Sequence, residues 1–267
     1  MNRFTLSGVP KVSIVTISYN QGQFLEACMR SVLEQDYPNI EYIIIDGGST
    51  DNSKANIEKF AGRLAYWQSQ KDGGQTDAIN QGFSHATGEI LAWLNSDDLM
   101  LPGSVSKAVA GLKAHPEAGM VYGDCLLINA KGKTLGRFPA AQTDYSKLRQ
   151  GYVHIPQQAS FWRAELWQKV APLDSSFYFA MDYDLWVRLA KLAPLVYLPG
   201  EPWAAFRLHG SGKSIAEDDR CWPEMMRVHY RDGGSAFSVI NLKYWVRKLV
   251  APIITWRRRQ MLDRNKT

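Results

Sequence analysis

The sequence predicts an α/β protein built on a mixed sheet with helices on both faces. The runs Val12–Ile17 and Tyr42–Ile45 have the continuous hydrophobicity of strands that are buried on both sides, and helically spaced apolar residues follow the first run. With 267 residues, 45% of them hydrophobic and 21% charged, the chain is long enough for one large domain with a well-buried core. This composition argues against a disordered protein.

Strands and helices alternate over residues 11–98, which we interpret as the first half of the domain. A helix is predicted over Thr76–Ala86, where apolar residues recur at helical spacing and Thr87-Gly88 ends the pattern. The strands predicted in this half are Val12–Ile17, Tyr42–Ile45, Leu64–Gln68 and Ile90–Leu94.

The second half of the domain, residues 99–215, is predicted to mix strands with two helices, Ser104–Ala114 and Tyr183–Leu192. Its predicted strands are Gly119–Leu127, Gln158–Trp162, Leu195–Leu198 and Trp203–Arg207. From residue 216 to residue 267 the apolar spacing becomes helical and the charge basic. We therefore divide the chain into a domain over 1–215 and a helical, basic extension over 216–267.

Polar loops follow the predicted strands at their carboxyl ends, where open α/β sheets bind ligands. Ser18-Tyr19-Asn20 follows the first strand, the Gly-rich loop Asp46–Asp51 follows the second, and Asn95-Ser96-Asp97-Asp98 follows Ile90–Leu94. Carboxylate oxygens are the hard ligands that Mg²⁺ or Mn²⁺ needs when it bridges phosphates. Taken alone, Asp-Asp before a Pro-Gly turn is more typical of a capped loop, so a metal site depends on other residues converging there.

Together and in this order, the motifs of the chain resemble those of the inverting family 2 glycosyltransferases of the GT-A fold, the type that builds bacterial surface polysaccharides. The resemblance covers about residues 11–215. It implies transfer of a sugar from a nucleoside diphosphate sugar, with UDP as the favoured carrier, to a hydroxyl of a glycan acceptor that is expected to be lipid-linked. The motifs that carry it are Ser18-Tyr19-Asn20, Asp46–Asp51, Lys71–Gln75 with Asp77, Asn80 and Gly82, Asn95–Asp98, Gln157–Trp162, Met181–Trp186 and Arg207–Ser214.

The resemblance implies that Tyr19, Asn20 and Asp46 hold the base and ribose of the donor. Asp46 can accept a hydrogen bond from the imide N–H of uracil or thymine, and capping of the Gly47-Gly48 turn is its alternative role. Some members of a polar cluster near the start of the Thr76–Ala86 helix are expected to hold the donor sugar, while others cap the helix. This cluster comprises Asp72, Gln75, Asp77 and Asn80.

For the metal, the resemblance implies Asp97 and His209 as ligands of Mn²⁺ or Mg²⁺, which would neutralise the leaving diphosphate. Asn95 stands where many relatives carry the first aspartate of the metal motif, so the site has less negative charge here. Ser96 and Asp98 are expected, with Asn95, to contact the substrate. Two alternatives stay open: His209 could be a histidine satisfied in the core, and Asn95 would suit a catalytically silent nucleotide-sugar binder.

The resemblance makes Asp182 the base that takes the proton of the acceptor hydroxyl. Asp184, two residues further along the predicted helix, must point elsewhere. Arg207 and Lys213 are expected to close around the diphosphate together with His209. Gln157 is expected on the acceptor side, with packing at a strand edge as an equally good alternative.

Positive charge is concentrated at the carboxyl end. Residues 240–267 contain eight Lys and Arg against a single Asp, a net +7, whereas the whole chain carries +5, so the remainder is slightly acidic. A basic end could suggest nucleic acid, but no nucleic-acid motif accompanies it, and we expect no nucleic-acid partner.

The segment Asn241–Gln260 alternates apolar and basic residues, a pattern suited to lying in a membrane interface, with a kink at Pro252. The alternative is a helix packed on the protein's own core with a solvated basic face. The amino-terminal Met1–Gly8 has no apolar signal-like region, and no stretch approaches the ~20 apolar residues of a spanning helix. We therefore expect a cytoplasmic protein that lies peripherally on the inner face of the cell membrane.

Overall fold

The structure is a computed structural model, in which residues 4–210, 212–213 and 221–250 are described. The main sheet consists of β1 (Val12–Ser18), β2 (Ile40–Asp46), β3 (Tyr66–Ser69), β4 (Ile90–Asn95), β6 (Met120–Gly123), β9 (Ser160–Arg163) and β10 (Leu195–Leu198). The strand order is β10-β6-β9-β4-β1-β2-β3, and β9 alone runs antiparallel to its neighbours. A smaller sheet, in the order β5-β11-β7-β8, is formed by β5 (Leu99–Met100), β7 (Cys125–Asn129), β8 (Thr134–Arg137) and β11 (Ala204–Leu208).

The helices are α1 (Gly22–Leu33), α2 (Ser53–Glu58), α3 (Gln75–Ser84), α4 (Ser104–Ala114), α5 (Tyr145–Arg149), α6 (Ala164–Val170), α7 (Met181–Leu192) and α8 (Cys221–Arg231). Short 3₁₀ turns lie at Ala61–Arg63 and Gln157–Ala159, and residues 239–250 are also helical. Among the described residues, none of these helices combines the length and apolar character needed to cross a bilayer.

The buried side chains of the central strands alternate between two core clusters, as the period of two along a strand requires. Val15 and Ile43 face one cluster, which also contains side chains of α3 and α7, whereas Ile14 and Ile44 face the other, with side chains of α1 and α4. Gly82 allows α3 to lie close to β1, because a Cβ there would come within 2.3 Å of the Val15 Cγ1. The predicted mixed sheet with helices on both faces is confirmed.

Most predicted elements are present with bounds shifted by at most two residues, and Ser104–Ala114 and Leu195–Leu198 agree at both ends. The single strand predicted over Gly119–Leu127 is wrong, because β6 and β7 belong to different sheets and Asp124 separates them. The Asp124 carbonyl accepts the Trp203 N–H at 2.8 Å, and its carboxylate accepts the Tyr197 hydroxyl at 2.5 Å. These bonds turn the chain from one sheet to the other.

The first part of the predicted carboxyl-terminal extension packs on the core of the domain. Met225, Met226 and Val228 of α8 are buried in the same cluster as the apolar side chains of α7. Just beyond α8, the Asp232 carboxylate forms an ion pair with Lys191 of α7 at 2.9 Å. The predicted boundary at residue 216 lies outside the described residues and stays a prediction, but α8 itself is integrated into the domain.

Candidate active site

The predicted site loops converge at one edge of the main sheet. β1 pairs in parallel with both β2 and β4, so that Ser18 lies opposite Asp46 and Ile17 lies opposite Asn95. Because the carboxyl ends of parallel neighbouring strands meet at the same edge, the loops after these three strands form one polar surface.

The loop after β1 is held in shape by the loop after β2. Asn20 has a left-handed backbone (φ 52°), a conformation that Asn tolerates better than most residues. Its Oδ1 accepts the Thr50 N–H at 2.9 Å, and its own N–H donates to the Ser49 Oγ at 2.7 Å. The neighbouring Tyr19 is 63% exposed, so its ring is accessible at the edge of the sheet.

Asp46 is fully buried beneath this loop and holds the turn that follows β2. Its Oδ2 accepts the Ser49 N–H at 3.0 Å and the Ser69 hydroxyl at 2.7 Å, and its Oδ1 accepts the Ser49 hydroxyl at 2.5 Å. The turn-capping role that the sequence left as an alternative is therefore present. Contact between Asp46 and a base stays a prediction.

Two carboxylates near the start of α3, those of Asp72 and Asp77, accept backbone N–H groups of the turn that leads into the helix. The Asp72 Oδ1 accepts the Gly74 N–H at 2.8 Å, and burial together with the nearby Asp77 and Asp46 raises the pKa of Asp72. The Asp77 Oδ2 accepts the Gly73 N–H at 2.9 Å and so holds the turn that enters the helix.

Asn80 has a different role from the one we expected. Its Nδ2 donates to the Leu173 carbonyl at 2.9 Å, and its Oδ1 accepts the Leu173 N–H at 2.8 Å. Both polar groups of this amide are used to fasten a distant loop. Of the cluster predicted to hold the donor sugar or to cap α3, Asn80 therefore does neither.

Four of the predicted site residues form one hydrogen-bonded chain across the polar edge. The Gln75 Nε2 donates to the Asn95 Oδ1 at 3.4 Å, and the Lys213 Nζ donates to the Gln75 Oε1 at 2.7 Å. The Asn95 Nδ2 donates to the Gln157 Oε1 at 3.3 Å. The Lys213 ammonium also contacts the Tyr178 carbonyl and lies 3.7 Å from the centre of the Tyr178 ring. The chain thus reaches from β4 to the segment before α7.

Asp97 and His209 lie next to each other although 112 residues separate them. The distance from the His209 Nε2 to the Asp97 Oδ2 is 2.9 Å. The imidazole is buried and its ring centre lies 4.7 Å from that of Phe24. The two side chains that the sequence analysis paired as metal ligands are therefore brought together.

Asp98 and Arg207 hold the backbone next to this pair. Asp98 is fully buried, and its Oδ1 accepts the Arg207 backbone N–H at 2.9 Å. Burial and the adjacent Asp97 raise the pKa of Asp98 well above its usual value. The Arg207 guanidinium donates to the carbonyls of Asp97, Asn129 and Ala130 at 2.7, 3.2 and 3.1 Å.

These contacts correct three expectations. The guanidinium of Arg207 is used on backbone carbonyls, so the predicted closure around a diphosphate does not describe it. Asp98 has no exposed surface and Ser96 is 3% exposed, so neither side chain is accessible to a substrate. The sequence motifs placed all three near the site, but Asp98 and Arg207 make bonds within the protein and Ser96 is buried.

Asp182 lies in the first turn of α7, where it is partly buried. Its Oδ1 accepts the Tyr183 N–H at 2.7 Å. Burial raises the pKa of Asp182 to about 6; the Lys213 ammonium opposes this shift and Glu224 adds to it. A carboxylate with this pKa can accept a proton near neutral pH.

The neighbouring Asp184 points away, as the sequence predicted. It is buried and forms ion pairs with Arg188 at 2.9 Å and with Arg231 at 2.5 Å. Asp184 therefore joins α7 to α8.

A model of the Glycosyl transferase family 2 domain matches residues 13–164, more than half of the chain. This protein belongs to glycosyltransferase family 2. An uncharacterized glycosyltransferase of Mycobacterium tuberculosis (strain H37Rv) is 35% identical over 190 residues, which cover 69% of this chain and 71% of the relative. An uncharacterized glycosyltransferase of Rickettsia typhi is 28% identical over 208 residues, which cover 75% of this chain and 64% of the relative.

Two solved structures share the fold of this family 2 glycosyltransferase. Staphylococcus aureus TarS in complex with UDP superposes with a TM-score of 0.64 at 17% identity, covering 82% of this chain and 64% of TarS. The mannosyltransferase PcManGT from Pyrobaculum calidifontis, in complex with GDP-Man and Mn²⁺, superposes with a TM-score of 0.66 at 18% identity, covering 97% of this chain and 77% of that one. The likeness confirms the predicted GT-A type of fold.

The glycosyltransferase has two adjacent side chains, those of Asp97 and His209, that could bind a divalent metal. Among the residues that the structure describes, no group of three or more His, Cys, Asp or Glu side chains converges on one point. Asp97 and His209 do form a pair, and Mg²⁺ is usually held by one or two carboxylates together with water and substrate phosphates. The pair therefore fits a metal site with two protein ligands, in which water or substrate would supply the other ligands.

Glu224 is a residue near the glycosyltransferase site that the sequence analysis missed. It lies on α8, and its carboxylate accepts N–H groups of the segment just before α7, with distances of 2.7 to 2.9 Å. It is 44 to 46 residues away from its partners, so no local motif or spacing signals the contact.

Proposed function

We propose that the protein transfers a sugar with inversion from a nucleoside diphosphate sugar to a hydroxyl group of a glycan acceptor. The observation that carries this proposal is the hydrogen-bonded chain from Asn95 through Gln75 and Lys213 to the Tyr178 carbonyl. This chain connects the polar edge of the sheet, where we place the sugar donor, with the segment that leads to Asp182. The residues that we assign to the donor and to the base would thereby keep a fixed relative position, which favours a direct displacement.

In this mechanism the acceptor oxygen attacks the anomeric carbon from the face opposite the leaving diphosphate. Asp182 takes the proton of the hydroxyl as the new bond forms, and its raised pKa makes it a stronger base than an ordinary carboxylate. The Lys213 ammonium keeps a positive charge near the carboxylate. Mn²⁺ or Mg²⁺ bound by Asp97 and His209 would neutralise the charge that develops on the diphosphate.

UDP is the carrier that we favour. The Asp46 carboxylate lies at the end of β2 beneath the loop of Tyr19 and Asn20, and its oxygens have the acceptor chemistry that suits the imide N–H of uracil. Because Asp46 is fully buried and accepts bonds from Ser49 and Ser69, this contact requires the Ser49 loop to move when the nucleotide binds. Two solved neighbours with this fold were determined with UDP-GlcNAc and with GDP-Man and Mn²⁺. Calorimetric titration with UDP, dTDP and GDP, each with and without Mn²⁺, tests the choice. Tighter binding of GDP than of UDP would contradict it.

The acid side of the pH profile provides a test of the base. Because Asp182 must be ionised to accept a proton, we expect kcat/KM to fall as the pH drops through about 6. The pKa is raised, so the active carboxylate form is present above this value and is lost below it. Measurement of kcat/KM with a UDP-sugar donor checks the prediction. A profile that stays flat from about pH 5 to 8 would contradict the assignment.

A catalytically silent nucleotide-sugar binder is the second candidate, and the amide of Asn95 in place of a carboxylate is the observation that favours it. Turnover of a UDP-sugar in the presence of Mn²⁺ separates the two candidates. Neither transfer nor hydrolysis would occur with a silent binder, whereas the binding of UDP would be the same.

We further propose that the acceptor is lipid-linked and that the protein works at a membrane surface. Helix 239–250 carries a row of exposed apolar side chains at helical spacing, with Leu242 at 66%, Trp245 at 57% and Leu249 at 79% exposure. Lys248 is exposed on the same helix, whereas the Lys243 ammonium donates to the Gln150 carbonyl at 3.2 Å and so contacts the protein. Apolar anchors flanked by cations suit the interface of an anionic leaflet, where each cation contributes about 1 kcal/mol.

The other side of this helix packs on the protein, which changes how the proposal should be tested. Ile240 is fully buried, and Asn241 accepts the Tyr230 hydroxyl at 2.7 Å. Removal of the chain from about residue 240 would therefore disturb the core. Residues 251–260 of the predicted amphipathic segment, including Pro252, lie outside the described residues.

Replacement of Leu242, Trp245 and Leu249 by Ser is expected to abolish flotation with vesicles that contain anionic phospholipid, because these side chains supply the apolar area. The binding of UDP should be unchanged. Co-flotation of both proteins is measured at low and high salt, and salt should partly release the unsubstituted protein. Equal flotation of the two proteins would rule out this face as the anchor. Val9, which is also exposed but lies on another surface, provides the control Val9→Ser.

A further inference from the structure

One carboxylate from α8 holds the three residues that lead into the helix of Asp182. The Glu224 Oε1 accepts the Tyr178 N–H at 2.9 Å, and its Oε2 accepts the N–H groups of Phe179 and Ala180 at 2.8 and 2.7 Å. Ala180 is the N-cap residue of α7 and has no side chain that could cap the helix. A carboxylate from a different helix therefore fixes the start of α7, two residues before Asp182.

The same helix also fixes the earlier part of this loop. One turn after Glu224, the Arg227 guanidinium contacts the Asp174 carboxylate at 3.2 Å and donates to the Ser176 hydroxyl at 2.7 Å. It also lies 3.7 Å from the centre of the buried Phe177 ring. The Thr76 hydroxyl, near the start of α3, donates to the Phe177 carbonyl at 2.9 Å. Residues 174–180 are thus held between α8 and the start of α3.

Glu224 also acts on Asp182 through its charge. A negative group at the amino end of a helix is favoured by the helix dipole, which suits Glu224 to its place before α7. The same negative charge adds to the raised pKa of Asp182, while the Lys213 ammonium lowers this pKa. The Cys221 thiol, one turn before Glu224 on α8, also lies close enough to sense the charge of Asp182. Loss of the Glu224 charge would therefore lower the pKa of Asp182.

We propose that Glu224 is a positioning residue for the transfer reaction, which holds residues 178–180 so that Asp182 meets the acceptor hydroxyl in the correct place. The proposal rests on the proposed function, in which Asp182 is the base. It makes α8, which lies beyond the segment matched by the family model, a working part of the site. Three short bonds to consecutive N–H groups leave this segment little freedom, and a shift of about 1 Å at a reacting group can cost 10²-fold in rate.

The test compares Glu224→Gln with Glu224→Asp in the full-length protein. Glu224→Gln keeps the reach of the side chain but loses its charge, and its NH₂ group cannot accept an N–H. We expect kcat to fall roughly 10- to 100-fold while the Kd for UDP stays within about twofold. The acid limb of the pH profile should also move to lower pH. Glu224→Asp keeps the charge but is one methylene shorter, so kcat should fall without that movement of the acid limb.

Glu201→Gln, a neutralisation of an exposed glutamate in the loop before β11, is the control and should change neither quantity. If both Glu224 variants keep kcat within about twofold while Asp182→Asn loses transfer, the positioning role is overturned and the base assignment stands. Parallel losses of kcat and UDP affinity would also overturn it, because they would indicate a general structural role. If Glu224→Gln does not fold, kcat and the Kd for UDP of Glu224→Asp decide whether Glu224 has the positioning role. Retained transfer by Asp182→Asn would instead overturn the proposed function itself.

Discussion

Asp182→Asn is expected to bind UDP as the unsubstituted protein does and to lose transfer by roughly 10²- to 10⁴-fold, the usual contribution of a general base. The amide has the shape of the carboxylate, and its Oδ1 can still accept the Tyr183 N–H that now lies 2.7 Å from Asp182. It cannot accept the proton of a hydroxyl. Calorimetry with UDP and initial rates of transfer from a UDP-sugar check the two halves of this prediction.

Asp184→Asn is the matched control, since Asp184 lies in the same turn of α7 but pairs with Arg188 and Arg231. It should lower the thermal stability, because the buried Asp184 side chain loses the charge that pairs with the two arginines, while the rate per folded molecule changes far less. Transfer by Asp182→Asn at the rate of the unsubstituted protein would contradict the assignment of Asp182 as the base. So would equal rate losses in the two variants, since these would indicate disturbance of α7 rather than loss of a base.

The parts of the fold that the sequence predicted well are the long and strongly periodic ones. β1 and β4 are almost wholly buried, so their apolar runs are unmistakable, and α4 has a buried stripe that repeats at helical spacing. The second sheet was missed because its edge strands give little signal. β5 has two residues, and the four residues of β8 are mostly exposed. Such strands form because of their neighbours rather than through their own hydrophobicity.

The site shows a similar division between what a motif can and cannot indicate. Asp97 and His209, 112 residues apart, were paired through the family resemblance, and the structure places them in contact. The same motifs gave Arg207 and Asp98 the wrong role, because a motif does not say which of its side chains are buried. Glu224 was missed altogether, since its partners are brought to it only by the packing of α8 on the domain.

Asp97→Ala is expected to abolish the gain in UDP affinity that Mn²⁺ provides. Asp97 is the accessible carboxylate of its motif, with 18% of its side chain exposed, and the His209 imidazole lies 2.9 Å from it. In the unsubstituted protein, coupling between metal and nucleotide of about 1–3 kcal/mol would make UDP bind roughly 5- to 150-fold more tightly with Mn²⁺ than with EDTA. The variant should bind UDP with the same, weaker affinity in both buffers. His209→Ala should lose part of the gain.

Asp98→Ala distinguishes a metal ligand from a support of the same turn. This carboxylate is fully buried and accepts the Arg207 backbone N–H at 2.9 Å, so its loss leaves a buried donor unsatisfied and should cost about 1–3 kcal/mol of the free energy of unfolding. The Mn²⁺-dependent gain in UDP affinity should survive in the folded variant, because the Asp97 and His209 side chains remain. If UDP bound the unsubstituted protein equally well with Mn²⁺ and with EDTA, the metal role of Asp97 would be wrong. The pair would then be a hydrogen bond that fastens β11 to the loop after β4, and Asp97→Ala would lower stability as Asp98→Ala does.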